Sequence, residues 1–387
     1  MFLPTTQRRN PALIDAAITL HQDGVIEPDT YVIDRDAVAR NAAALAAAGR
    51  EHGVDLWFVA KQYGRNPLVS ATVSEHIESA TAIDHREAQT LVEAGVRLAN
   101  LGHLVQVPVR RLPAMLEADP AHVTVTDTEN LRAVAAAAAA GGRTQRLLLK
   151  IRGAESVTFP GQDGGFELDE IEDALALARD LGGIEIAGVT GFPCISFDES
   201  AGRPAPTATY PRVAEAAEIL RGHGVDPLLS LPSHTSVSTI AQIAALGGHV
   251  GEPGHALTGT TPEHAVRDDL VEQPALVYVS EIAQLGSAPS VFGGGFYSRG
   301  HARRMTVQTD HGPRAATLRK TSSASIDYYR RFDWDEDGPR AGIGDTAVMA
   351  FRTQIFVTRS KVAVVSGVGT DAPRVDGVFD AQGRRLR

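Results

Sequence analysis

One lysine in this sequence stands where a covalent reaction with an aldehyde could take place. Lys61 directly follows the apolar run 57–60 (WFVA), so its stem would leave a buried strand and its amine would point out of the strand's end. A lysine held in this way can lose its proton through desolvation and act as a nucleophile. The alternative is a strand-end lysine whose ammonium reaches solvent or pairs with Glu252.

Two later segments have the composition of a phosphate-binding site. Residues 232–239 read PSHTSVST, and the hydroxyls of Ser233 and Thr235 would lie at a helix N-terminus, where backbone N–H groups and the helix dipole favour an anion. Residues 251–259 read GEPGHALTG, and the glycines would let backbone amides approach a ligand closely. An ordinary N-cap followed by turn glycines has the same composition, but two such segments on neighbouring strands favour a phosphate.

Glu252 interrupts the second segment, and a carboxylate there would repel a phosphate. It fits a cationic partner instead, such as a protonated ring nitrogen. A lysine for an aldehyde, a cradle for a phosphate and an acid for a ring nitrogen together describe pyridoxal 5'-phosphate (PLP). We therefore expect PLP as the cofactor.

The elements that must position these residues alternate along the chain between short apolar runs and longer segments with helical periodicity. Eight such runs predict an α/β fold, a parallel sheet closed into a (β/α)8 TIM-like barrel, with an open doubly wound sheet as the alternative. The runs cover residues 56–60, 79–83, 97–101, 122–126, 146–151, 184–189, 227–231 and 247–251. Reacting groups of such barrels lie where the strands end. The residues that follow the runs include Lys61, His103, Arg152, Ser233, His234 and Glu252.

The pattern of predicted secondary structure changes after about residue 266. Strand-like segments such as 346–358 alternate there with turns, which predicts a mostly β C-terminal domain over 266–387, after a barrel domain over 30–265. Residues 1–29 are predicted to be an N-terminal extension with one short helix over 11–22. The turn-rich stretch 196–211 is predicted to be a long loop inside the barrel domain.

Composition excludes several classes of function. A net charge of -10 without a basic face disfavours a nucleic-acid partner, and the chain has no apolar run of 18 residues that could span a membrane. The single cysteine, Cys194, excludes an internal disulfide framework. A cytoplasmic protein is the resulting expectation.

Residues 31–67 (YVIDRDAVARNAAALAAAGREHGVDLWFVAKQYGRNP) resemble the opening of the alanine racemase-like, fold-type III PLP enzymes. The resemblance continues through GHVGEPGHALTG and into the β domain. The stretches KQYGRNP, LVQVP, EPGHALTG and FGGGFYSRG are most similar to the YhfX-type branch of these enzymes.

The resemblance implies a role for each site residue. Lys61 would carry the Schiff base, Tyr63 would touch the phosphate, and Arg152 would lie near the phenolic oxygen of the cofactor. The phosphate-binding loops would include Ser233, His234, Thr235, Gly251, Gly254 and His255. His103 or His234 would stack on the cofactor, unless either is a hydrogen-bonded structural histidine.

The resemblance also implies a homodimer, in which Tyr297 of the partner's β domain serves as the second base opposite Lys61. The leading function is an amino-acid racemase or epimerase. Racemases of this type have Arg-Pro-Gly where this chain has Glu252-Pro-Gly, and basic amino-acid decarboxylases have Glu-Pro-Gly. A decarboxylase or lyase of the same fold is therefore the alternative, although the β domain lacks the decarboxylases' catalytic cysteine.

A non-catalytic PLP carrier is a second alternative, which the β domain disfavours because the carriers lack one. The metal-dependent members of this fold hold a metal on His with Cys or Asp. Neither His301 nor His311 belongs to a matching His-x-Cys or His-x-Asp pattern, so we expect no metal. Arg352 is a candidate for binding a substrate carboxylate, with a surface ion pair as the alternative.

Overall fold

The computed structural model describes residues 2–293, 302–322, 325–354, 356 and 359–387. The chain folds into two compact units, which are described separately below. The first, the barrel unit, consists of residues 42–60 and 73–254, and the second, the sheet unit, consists of residues 1–41, 61–72 and 255–387. The predicted domain limits at 29/30 and 265/266 stay predictions.

The barrel unit contains a closed barrel of eight parallel strands, which confirms the predicted fold class. Each of the eight predicted runs overlaps one strand. Numbered along the whole chain, these strands are β2 (Asp55–Phe58), β3 (Ser79–Ala82), β4 (Arg97–Leu101), β5 (His122–Val125), β6 (Gln145–Lys150), β7 (Ile184–Thr190), β10 (Leu228–Ser230) and β11 (Val250–Gly251). Around the barrel the order is β10-β11-β2-β3-β4-β5-β6-β7.

Side chains fill the barrel interior in layers, because alternate residues of a strand point to opposite faces. Trp57, Ala99, Leu148 and Val250 form a buried apolar layer, and the Trp57 ring stacks on His122 with ring centroids 5.3 Å apart. Two residues after Leu148 and Val250, the residues Lys150 and Glu252 make the inward face polar. Thr190 and Ser230 lie in register with Lys150 on β7 and β10.

The described residues form ten α-helices in addition to the strands. They are α1 (Phe2–Arg9), α2 (Pro11–Gln22), α3 (Arg35–His52), α4 (Pro67–Ser74), α5 (His85–Glu93), α6 (Leu112–Glu117), α7 (Thr128–Ala140), α8 (Ile171–Leu181), α9 (Thr209–Gly222) and α10 (Val237–Ala245). The predicted helix over 11–22 is confirmed as α2, where Asn10 accepts the Leu13 N–H and Pro11 fills the first turn. None of the helices in the described parts of the chain is long and apolar enough to cross a membrane.

In the sheet unit, the described residues form a nine-stranded sheet. Its strands are β1 (Thr30–Asp34), β12 (Leu276–Gln284), β13 (Ser290–Phe292), β14 (Arg304–Thr309), β15 (Gly312–Leu318), β16 (Tyr329–Trp334), β17 (Thr346–Met349), β18 (Lys361–Ser366) and β19 (Arg374–Asp380). The predicted mostly β C-terminal region is thereby confirmed. The sheet also takes in β1, which lies antiparallel to β12 and parallel to β18.

Two local predictions differ from the structure. The predicted loop 196–211 contains a hairpin of β8 (Ile195–Asp198) and β9 (Arg203–Pro206), and α9 already begins at Thr209. The strand predicted over 346–358 ends at Met349. Beyond it the chain leaves the sheet, because Arg352 bonds to His255 and the Thr353 hydroxyl donates to the Gln62 carbonyl.

Gly188 is the residue of the barrel wall that has the least room for a side chain. It pairs with Leu228 between β7 and β10, and a Cβ added there would lie 2.1 Å from the Leu228 carbonyl oxygen. We expect Gly188→Ala to push these strands apart and to destabilise the barrel by about 3 kcal/mol or more, measured as a lowered midpoint of thermal unfolding. In Gly222→Ala, at the end of α9, the new Cβ meets no atom within 4 Å. This control should unfold like the wild type, and an equal loss in both variants would contradict the account.

Candidate active site

A buried glutamate lies at the end of the barrel where the strands finish. Glu252 directly follows β11, and only 2% of its side chain is exposed. Its Oε1 atom accepts hydrogen bonds from Thr81 Oγ1 at 3.0 Å and Ser230 Oγ at 3.4 Å, and its Oε2 atom lies 3.5 Å from His103 Nε2. Burial of a carboxylate is costly unless it is bonded. Side chains from three parts of the barrel therefore hold this one group in place.

The loop after β10 is tied to its surroundings through its hydroxyls. Ser233 Oγ donates to the Ile195 carbonyl at 2.7 Å, and Thr235 Oγ1 accepts the backbone N–H of Glu252 at 2.8 Å. His234, between them, has a left-handed backbone (φ 51°), and its ring stacks on Phe197. The loop ends at Ser236, the N-cap of α10.

The loops after β10 and β11 touch each other. A Cβ on Gly251 would lie 2.8 Å from the Thr235 methyl, so the absence of a side chain at Gly251 lets the two loops meet. The predicted neighbours Ser233–Thr235 and Gly251–Gly254 thus share one end of the barrel. Their contacts with a phosphate stay a prediction.

Lys61 begins a short 3-10 helix, Lys61–Tyr63, and its side chain is partly exposed. The strand that leads to it is fixed two residues earlier, where the Val59 N–H donates to the Pro253 carbonyl at 2.9 Å. The ring of Tyr63 is fully buried, and its hydroxyl lies 3.2 Å from Ser70 Oγ. The catalytic role of Lys61 and the predicted phosphate contact of Tyr63 remain predictions.

Within the sheet unit, Arg352 is paired with His255. The Arg352 Nε–H donates to His255 Nε2 at 3.0 Å, and His255 Nδ1 lies 3.3 Å from Thr260 Oγ1. A histidine that accepts through Nε2 is neutral and carries its proton on Nδ1, so it can donate to Thr260. The imidazole thereby orients the guanidinium without cancelling its charge, which suits a group that binds a carboxylate.

Lys150 is a candidate site residue that the sequence analysis missed. It ends β6, and it points into the barrel because it lies two residues after the interior Leu148. Its Nζ atom donates to the Gln162 carbonyl at 2.8 Å. Burial lowers the pKa of this ammonium, and the nearby Asp163 opposes that effect only in part. The two-residue alternation was the signal that could have revealed it.

Arg152, the predicted arginine of this region, faces a surface loop. Its Nε–H donates to the Gly165 carbonyl at 3.0 Å, its guanidinium lies 3.5 Å from Glu167, and nearly half of the side chain is exposed. Its contact with a cofactor stays a prediction. Lys150, at the end of β6, points into the barrel instead.

Two buried donors complete the polar layer of the barrel. Among the described residues, neither Asn100 Nδ2 nor Thr190 Oγ1 has a hydrogen-bond partner, although both atoms are shielded from solvent. Thr190 lies beside Lys150 across β6 and β7, and Asn100 accepts a hydrogen bond from Thr124 through its oxygen. Buried donors without partners indicate a place for a polar ligand or for water.

Cys194 is completely buried. Its Sγ–H donates to the Gly191 carbonyl at 3.4 Å, and burial raises the pKa of the thiol far above its ordinary value. Such a thiol is inert as a nucleophile. Tyr297 and His301 lie outside the described residues.

Comparison with known proteins identifies both parts of the chain. Residues 33–262 match the alanine racemase N-terminal domain, and residues 277–375 match the YhfX-like C-terminal domain. The uncharacterized protein YhfX of Escherichia coli (strain K12) is 36% identical over 394 residues, which cover 100% of both chains.

Solved structures share the fold at low sequence identity. Alanine racemase from Clostridium difficile 630, in complex with cycloserine, superposes with a TM-score of 0.66 at 14% identity, over 91% of this chain and 98% of that one. D-threonine aldolase from Filomicrobium marinum gives 0.65 at 17% identity, over 93% and 96%. Diaminopimelate decarboxylase from Helicobacter pylori, complexed with L-lysine, gives 0.65 at 15% identity, over 92% and 93%.

The family that these findings define consists typically of PLP enzymes. The chain belongs to the alanine racemase-like, fold-type III family, as a member with a YhfX-like C-terminal domain.

Proposed function

We propose that this protein is a PLP-dependent enzyme that acts at the α-carbon of an amino acid, as a racemase or epimerase. The observation that carries the proposal is the buried Glu252, which is held by Thr81, Ser230 and His103 at the end of a parallel barrel. A carboxylate held in such a place can bind a cationic group, and the protonated ring nitrogen of PLP is one.

The polar groups of the barrel unit fit this cofactor in chemical type. Glu252 suits the ring nitrogen, and the N-terminus of α10 with the Thr235 hydroxyl suits a phosphate dianion. Across the barrel interior, the Lys150 ammonium and the donors on Asn100 and Thr190 suit oxygen acceptors. When bound, PLP supplies a ring that stabilises negative charge at the substrate's α-carbon.

The chain's own residues would divide the remaining work. Lys61 would hold the cofactor through its aldehyde group and would move the α-proton on one face of the substrate. Glu252 would keep a proton on the ring nitrogen, while His103 and Thr81 hold its carboxylate in position. Arg352, oriented by His255, would bind the substrate's carboxylate.

The second proton transfer in this proposal belongs to Tyr297 of a second copy of the chain. A tyrosine on the face opposite Lys61 would return a proton to the other side of the α-carbon, which inverts its configuration. The proposal therefore includes a homodimer with shared sites.

Glu252 also favours a second candidate, a decarboxylase or lyase of the same fold. A carboxylate that keeps the ring nitrogen protonated strengthens electron withdrawal, which would help either reaction. The single cysteine argues against the decarboxylase, because Cys194 is a buried residue of the barrel unit and its thiol is engaged with Gly191.

Reduction of the PLP-saturated protein with sodium borohydride should leave a pyridoxyl adduct on Lys61, which peptide mass spectrometry can locate. The sequence has four lysines, Lys61, Lys150, Lys320 and Lys361, so the assignment is unambiguous. Lys150 is the rival, because its lowered pKa leaves more of the neutral amine at a given pH.

Lys61→Ala should abolish the adduct, whereas Lys150→Arg and the exposed control Lys320→Ala should keep it on Lys61. An adduct on Lys150 in the wild type would overturn the assignment of Lys61. Absence of any visible-absorbing complex with PLP would overturn the cofactor itself.

Exchange at the α-carbon separates the two candidate reactions. In deuterated water, a racemase should incorporate deuterium into its amino acid while the carboxylate is retained, and Tyr297→Phe should slow inversion more than ~100-fold because one proton donor is lost. NMR of a panel of L- and D-amino acids follows the label, and chiral chromatography follows inversion. Release of carbon dioxide without inversion would instead establish the decarboxylase, and a wild type that exchanges no α-proton would refute both.

A further inference from the structure

The barrel unit has a concave site at the end where its strands begin. A pocket of about 330 Å³ opens between the first residues of β4, the segment that leads into β5 and the first residues of β6. That volume lies at the lower limit for small-molecule sites. The pocket is at the opposite end of the barrel from Glu252, so the site proposed above does not include it.

The pocket wall is positively charged on an acidic protein. Three arginines, Arg97, Arg143 and Arg146, line it together with a single carboxylate, Asp119. The chain as a whole carries a net charge of -10, so the clustering of guanidinium groups here is a local reversal of sign.

Arg143 and Asp119 form a fixed part of this wall. The Arg143 guanidinium donates to the Asp119 carboxylate and to the Leu116 carbonyl. Asp119 has a left-handed backbone (φ 53°), which is uncommon for a residue with a side chain. Gln145, which is buried, also holds this segment, because its amide donates to the Pro120 carbonyl at 3.0 Å.

The two other arginines are available to a ligand. Arg146 is exposed and lies in register with the exposed Glu185 of β7, but among the residues that the structure describes no ion pair joins it to this or another carboxylate. Arg97 lies 3.6 Å from Glu78, but both side chains are about four-fifths exposed, and such pairs contribute little. The exposed Thr144 adds a hydroxyl to the same wall.

We propose that this pocket is a binding site for a small phosphate monoester, held by the guanidinium groups of Arg97 and Arg146 at the end of the barrel opposite the cofactor. Guanidinium groups match phosphate oxygens with paired N–H donors, and a dianion offsets the charge of two arginines. A pocket of this volume accepts a compound of small size rather than a polymer.

Isothermal titration calorimetry of the full chain saturated with PLP, so that the proposed cofactor site is filled, tests the proposal with glycerol 2-phosphate and with inorganic phosphate, and glycerol is the uncharged control. The wild type should bind glycerol 2-phosphate at one site per chain with a Kd of ~1 mM or tighter, and added salt should weaken it. Arg146→Gln should weaken binding at least ten-fold. Arg132→Gln, an exposed arginine of α7 outside the pocket, should bind like the wild type.

Both variants change exposed side chains, so they should fold normally, and their unfolding midpoints check this. Stronger binding of glycerol 2-phosphate than of inorganic phosphate supports a monoester as the ligand. Stronger binding of inorganic phosphate would show that the site binds the free ion and would overturn the monoester. Lack of saturable binding in the wild type, or equal binding by wild type and Arg146→Gln, would overturn the site altogether.

Discussion

The arrangement of residues at one end of the parallel barrel depends on the cost of burying one carboxylate there. Glu252 cannot remain charged among apolar side chains, so hydroxyls from Thr81 and Ser230 and the ring of His103 converge on it. Removal of one partner from such a network leaves buried charge without compensation. The network therefore fixes both the chemistry that this end of the barrel can perform and the side chains that must surround it.

The need to stabilise this buried carboxylate also explains why the barrel interior changes from apolar to polar side chains along the barrel axis. The apolar layer that contains Leu148 and Val250 is followed, two residues later on the same strands, by the buried ammonium of Lys150 and the buried carboxylate of Glu252. A polar layer with donors that lack protein partners is costly in an empty barrel. We infer that a ligand with several acceptor groups completes it, and PLP has acceptors of that kind.

Much of this architecture was predictable from the sequence. The eight barrel strands appear as apolar runs of the right length, since strands that are buried on both faces read as continuous apolar segments. The closeness of Thr235 and Glu252 followed from the barrel order, because β10 and β11 are neighbours and both loops leave the same end. The helix over 11–22 was recognisable from its N-cap and proline.

Features that depend on side-chain direction or on distant pairing were not predictable in the same way. Arg152 looked like the cation of β6, but the strand ends at Lys150, whose side chain points inward, and Arg152 lies beyond the strand on a surface loop. Strand β1 reads like any other strand, yet its partners β12 and β18 come more than 200 residues later. The bond between Arg352 and His255 joins residues 97 positions apart, and no local pattern predicts it.

The protonation state of the ring nitrogen tests the central claim most directly. With PLP labelled with ¹⁵N at that position, nitrogen NMR of the loaded wild type should give the strongly shielded resonance of a protonated pyridine at neutral pH. In Glu252→Gln, which keeps the shape but removes the charge, the resonance should move to the position of the unprotonated ring. An unprotonated nitrogen in the wild type, or the same resonance in both proteins, would contradict the assignment of Glu252 as the partner of the cofactor.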